Sequence, residues 1–217
     1  MLKTFTTAAT EYWDIKLLDT ARKVHYLTDV EKDVVLETNK ARSDPRKYAQ
    51  LYIEPMLQYY NGNRYEKPGE IVYITKEGRA AAEECVTVLS NMVGVGLLIP
   101  ELGLSKAAKD HVNDQGQTEN TGHTGEDGSD VWDRPERYGQ FGGAGIYSWS
   151  VGENIQYGKN IAREIVIQLL IDDGVADRGH RVNIMNDNFS QIGTAVGSHK
   201  KYRNMCVIVY SHGYTSN

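Results

Sequence analysis

The chain has 217 residues and carries 29 acidic against 24 basic side chains, a net charge of −5. It is long enough to bury a core of its own, and neither its charge nor its longest basic run, Lys200-Lys201, gives it a reason to bind nucleic acid or an anionic membrane. Two cysteines, Cys85 and Cys206, rule out a disulfide scaffold, and no apolar stretch nears the roughly 18 residues of a membrane span.

In chain order, Leu2 to Tyr26 mixes aromatics with charges and reads as an N-terminal arm over residues 1–27, with room for a short helix. Met1 to Thr10 lacks the apolar run of a signal peptide, so the chain is either intracellular or exported by a signal outside this sequence. Val30, Val34, Val35, Leu36 and Ala41 fit a helix, which Thr28 caps and Glu31, three residues on, completes as a capping box. Asp44-Pro45 ends or restarts it, with Pro45 as the first residue of a second helix through Tyr48, Leu51 and Tyr52. Asn61-Gly62-Asn63 and Lys67-Pro68-Gly69 are turns, Ile71 to Ile74 a short strand, and Lys76 to Met92 an alanine-rich helix. A further helix follows, capped by Ser105, with Ala107, Ala108, His111 and Val112 on one side. Residues 116–146 are rich in glycine, serine, aspartate and asparagine and read as a long irregular stretch, uncommon unless functional or disordered. Asn160 to Asp173 is apolar nearly all round and belongs at the centre of the domain. Gln191 to Gly197 and Arg203 to Ser211 are strands, antiparallel across the turn Ser198-His199-Lys200-Lys201. Cys206, inside the second, reads as an inert core thiol; a bridge to Cys85 has no support in the pattern.

Four short blocks set ionisable groups beside glycine or among apolar residues: Gly122-His123-Thr124-Gly125, Gly152-Glu153-Asn154-Ile155, Ile171-Asp172-Asp173-Gly174 and Gly179-His180-Arg181-Val182-Asn183-Ile184. Imidazoles and carboxylates that share a cleft can hold a cation or move a proton. With the strand Ile192 to Gly197, these blocks resemble the CAP superfamily (cysteine-rich secretory, antigen 5 and pathogenesis-related-1 proteins), and its microbial members in particular. The likeness is specific from about Leu104 to Tyr210; Leu36 to Arg42 resembles the family's first helix, and the stretch at about 46–100 reads as a helical insertion into a single domain over 28–217. The resemblance implies an α+β fold, a three-layer αβα sandwich with a small, mainly antiparallel sheet and a helical N-terminal elaboration. It also implies a cleft lined by His123 and His180, with Glu153 at the position of the family's Gly-Glu-Asn-Ile glutamate and Asp173 where the family has a second glutamate. The paucity of cysteine departs from the eukaryotic relatives.

Asp173 also stands on its own argument. It ends an apolar helix just before Gly174, where a carboxylate faces the negative end of the helix dipole unless a cation or proton compensates, at a cost of about 0.3–1 kcal/mol; Asp172 is its rival. Glu153 and the two histidines have an alternative role as hydrogen-bonded struts between loops. Two histidines fall short of the three protein ligands usual at catalytic zinc, so any Zn2+ held by His123 and His180, with support from Glu153 or Asp173, is expected to be weak and unnecessary for folding. The acidic residues Glu126, Asp127, Asp130 and Asp133 lack EF-hand spacing and read as solvated surface. No nucleophile motif occurs, and Ser148 and Ser150 are ordinary strand-edge residues. The aromatic-rich stretch from Trp132 to Trp149, with Tyr138, Phe141 and Tyr147, either offers apolar surface to a lipid or protein or packs over the cleft wall. His25, His111, His199 and His212 take surface or packing roles.

Three function classes remain: a non-catalytic secreted effector binding a protein or a lipid or sterol, a metal- or carboxylate-assisted hydrolase, and a structural surface module. The resemblance favours the exported alternative, in an extracellular or cell-surface setting, and a monomer is expected. The first class leads, for want of a nucleophile and a full metal set.

Overall fold

The computed structural model describes residues 12–142 and 149–217; the first 11 residues of the N-terminal arm, Tyr147 and Ser148 lie outside them. In chain order the helices are α1 (Ile15–Leu18), α2 (Asp29–Ser43), α3 (Pro45–Tyr48), α4 (Arg79–Asn91), α5 (Leu102–Gly116), α6 (Asp133–Glu136), α7 (Ala162–Ile171) and α8 (Gly179–Ile184). The strands are β1 (Tyr60–Asn61), β2 (Arg64–Tyr65), β3 (Tyr73–Ile74), β4 (Ile99–Pro100), β5 (Gly139–Phe141), β6 (Ser150–Tyr157), β7 (Gln191–His199), β8 (Arg203–His212) and β9 (Tyr214–Ser216).

The main sheet has the order β4-β7-β8-β6, antiparallel except where β4 meets β7, and β6 forms one edge. Alternation along β8 divides the core: Met205, Val207 and Val209 face α5 with Leu104, Ala108 and Val112, whereas Cys206, Ile208 and Tyr210 face α2 and α7. Three layers result, an α+β sandwich. A Cβ at Gly193 would run into the backbone of Leu104 and Ser105, so the bare glycine lets β7 and α5 approach closely.

Local signals explain most boundaries. Glu31 accepts the Thr28 N–H at 2.7 Å, as the capping box requires. The helix begun at Pro45 loosens into a π-turn over Ala49–Ile53 and a 3-10 turn over Glu54–Tyr59. Ser105 is not a cap: α5 starts earlier, at Leu102, and the Ser105 hydroxyl bonds back to the Glu101 carbonyl at 3.0 Å. The turn after β7 comes later than expected, at Lys200 to Tyr202, which puts His199 inside the strand and buries it.

Arg42 is fully buried at the end of α2, and its guanidinium donates to the carbonyls of Gly96 (2.7 Å), Ile184 (2.7 Å), Asn186 (2.9 Å) and Phe189 (2.9 Å). It thereby fixes the C-terminal end of α8 against α2. Desolvation pushes its pKa down, and among the described residues no carboxylate lies within ion-pair distance of it.

Candidate functional site

The site is assembled across the outer edge of β6. The strand's side chains alternate, so Glu153 points to the α5 layer and Asn154 to the α7 layer. On the α5 side, the loop after that helix brings His123 to Glu153, with Nδ1 2.8 Å from Oε1. The carboxylate is buried and also takes the Arg134 Nη2 at 3.0 and 2.8 Å. Arg134 is equally buried, and its Nη1 donates to the carbonyls of His123 and Ser129, which ties the histidine's own backbone to the carboxylate it faces. Two charges removed from water in this way are tolerable only because each has partners.

On the α7 side, the helix ends at Ile171, and Asp172 adopts the left-handed conformation with φ 57°. That early ending corrects the expectation for Asp173. Asp172, only 4 % exposed, turns inward and accepts from His180 twice, from the backbone N–H at 2.9 Å and from Nδ1 at 2.6 Å. Asp173 turns the other way and accepts the N–H groups of Lys76 and Glu77 at 2.6 and 2.7 Å. Glu77 returns the grip: it accepts from the Gly174 N–H and pairs with Arg178, and that guanidinium, with the Gly174 N–H, holds its carboxyl down to about 2.

Two amides join the halves. Asn154 Nδ2 donates to the His180 carbonyl at 2.9 Å, and Asn183 Nδ2 donates to the Glu153 carbonyl at 3.3 Å and to Asn154 Oδ1 at 2.9 Å. Tyr157 ties the His123 loop to β6, its hydroxyl accepting the N–H of Gly122, next to His123, and donating to Gln115. His123 and His180 therefore flank the same short length of strand from opposite layers. A carboxylate only accepts, so each imidazole donates through Nδ1, and among the described residues neither Nε2 has a hydrogen-bond partner. Glu153 and Asp172 each hold an imidazole at Nδ1, and among the described residues no group of three or more His, Cys, Asp or Glu is placed to share a metal ion.

Of the other candidates, Asp127 is engaged by Ser129 and Arg137, and Asp130 and Asp133 cap their own turn. Trp132 and Trp149 are about half exposed, at 46 % and 48 %, with Trp149 stacked on Phe141. Among the described residues the buried Ser150 hydroxyl has no hydrogen-bond partner. Cys85 and Cys206 are free and buried, and desolvation raises the first thiol to about 11 and the second further still. Arg134, Asn154, Asn183 and Tyr157 were missed as site residues in the sequence; an arginine between Asp133 and Pro135 carries no pattern that marks it as buried.

His111 is wholly buried on α5, with Nε2 2.9 Å from the Gly122 carbonyl, and burial lowers its pKa. Its neutral form is the folded one, whereas the unfolded imidazole takes a proton near pH 6.5. Stability from this group is therefore complete above about pH 6.5 and is lost as the pH falls below it. Urea midpoints measured between about pH 7 and 5 should drop, and His111→Asn should flatten that slope relative to wild type.

The sequence profile of the Cysteine-rich secretory protein (CAP) family matches residues 91–210. That is more than half of the chain, which belongs to this family. Among solved structures, the chain is similar to an outer surface protein of Borrelia burgdorferi, with 16% identity and a TM-score of 0.42 over 64% of this chain and 88% of that one. It is also similar to an extracellular protein of Bacillus anthracis containing an SCP domain, with 18% identity and a TM-score of 0.41 over 76% of this chain but only 43% of the other. No curated protein matches. No helix is long and apolar enough to cross a membrane among the described residues.

Proposed function

We propose that the chain is an exported, extracellular or cell-surface binding protein of the CAP family, which holds a protein or lipid ligand at the histidine cleft without chemical turnover. The observation that carries this reading is the pair of orienting contacts: each imidazole is fixed through Nδ1 by a buried carboxylate and presents a bare Nε2. Such nitrogens suit a ligand's donor, or a divalent cation whose remaining positions are filled by water. Both thiols are buried and hard to ionise, which disfavours them as nucleophiles. A hydrolase is the second reading, favoured by the His180–Asp172 pair, which has the arrangement of an oriented general base.

Zinc serves as the reporter of the cleft. Calorimetric titration should show weak binding that falls on acidification, because only the neutral imidazole ligates. His180→Ala should remove most of it, while His25→Ala, at an exposed position outside the cleft, should leave it unchanged. Equal affinity in wild type and both variants would place any metal elsewhere and leave the two pairs as structural struts.

A further inference from the structure

Beside the His180–Asp172 pair runs a groove of about 380 Å³, within the usual range for ligand sites. One wall is Ile155 to Tyr157 on β6, the other is Tyr73 to Thr75, and Leu169 and Ile171 lie between them. Both walls are strand edges. β6 ends the main sheet and β3 ends the small sheet β1-β2-β3.

The backbone directions follow from the hydrogen bonds already made. The β6–β8 register runs one to one from Ser150 to Tyr157 without a bulge, and the Glu153 carbonyl, which accepts from Asn183, faces away from β8. By alternation Ile155 and Tyr157 also turn their backbone groups outward. The Tyr157 carbonyl is taken by Gln156 Nε2, which leaves Ile155 as the open position inside the groove. On β3 the Thr75 N–H points inward to Asn63, so Ile74, itself 68 % exposed, turns its N–H and C=O outward. An outward amide thus occurs on each wall, with the exposed Ile74 side chain beside one of them, while the Ile155 side chain is buried toward α5.

We propose that this groove takes an extended peptide segment as an added strand, with apolar side chains at alternate positions and a basic residue toward the Asp172–Asp173 end. Outward amides are matched by another backbone, not by a lipid chain, and pockets between them then select the side chains. The charge at the end of the groove points the same way: Asp172 and Asp173 line it beside His180, and among the described residues no Lys or Arg does. The proposal deepens the binding reading above and rests on it, naming the partner of the His180 side of that site.

A positional library of acetylated, amidated hexapeptides is the probe. Selection should favour apolar residues at alternating positions with Lys or Arg at one end. Backbone N-methylation of the best peptide at its central residue should weaken binding about tenfold or more, a loss of about 1.4 kcal/mol. Ile74→Pro removes one outward donor at an exposed edge where proline is tolerated, and it should cost a similar factor, with Ile74→Ala costing far less. The N-methylated peptide tests the same bond without any change to the protein. Absence of positional selection, full binding by the N-methylated peptide, or wild-type affinity in Ile74→Pro would overturn the proposal, as would concentration-dependent dimers in sedimentation that compete with the peptide, since a second copy would then be the occupant. Zinc and peptide titrations of the wild type separate the two readings: zinc binding without peptide binding sinks the groove alone, whereas peptide binding without zinc binding sinks the histidine reporter.

Discussion

Arg134→Met should destabilise the protein by about 3–5 kcal/mol, because it strands a buried carboxylate. Glu153 has two strong partners, and the histidine that remains is half exposed, with 53 % of its side chain in water. For a chain of this length about 2–4 °C of midpoint is lost per kcal/mol, so thermal unfolding should come earlier by roughly 10 °C. The variant should regain part of that loss on acidification, since a protonated carboxyl costs less to bury than a carboxylate. The double variant Arg134→Met/Glu153→Gln should be more stable than Arg134→Met alone. If the single variant melts with the wild type, the Arg134–Glu153 contact contributes nothing to stability and the site needs another account of how His123 is held.

Arg42→Met should be at least as damaging. Four carbonyls lose their donor at once, and each buried group left unpaired costs about 1–3 kcal/mol. Removing a desolvated charge returns some of this, so a net loss of about 4 kcal/mol is expected, read as a lower urea midpoint. Arg42→Lys should rescue little, because one ammonium cannot replace the fork that reaches the carbonyls of Gly96, Ile184, Asn186 and Phe189 together. The backbone of Ile184 and Asn186 is held by this residue, so amide exchange in α8 should quicken more than in β7 or β8. Uniform protection across all three would show that Arg42 does not anchor that helix.

Much of the frame is legible from periodicity and caps. The apolar runs around Ala195 and Val207 show the two central strands, Thr28 and Glu31 mark the start of α2, and the apolar residues of α7 show that it is enclosed. The ends are harder. Nothing local announces that Asp172 and not Gly174 takes the first left-handed turn after α7, because aspartate enters that conformation at modest cost and the compensating contacts, two bonds to His180, lie eight residues away. The same holds for His199: its neighbours read as a turn, but its ring packs with Tyr157 and Tyr202 and keeps it in the strand. The candidate site divides in a similar way. Its histidines and Glu153 stand out beside glycine, while Arg134, Asn154 and Asn183 are ordinary polar residues until the fold brings them under the loops. Their roles rest on long-range contacts that no spacing encodes.

The grip between Asp173 and the turn at Lys76–Glu77 joins a stretch inside the matched span of 91–210 to one outside it. His180 owes its aim to both ends of that handshake, since the same loop carries Asp172 inward and Asp173 outward. The family blocks of this chain are therefore not a portable cassette. Lifted onto a relative that has no equivalent of Lys76 and Glu77, they would bring the imidazole without the tether that tells its loop which aspartate to face inward.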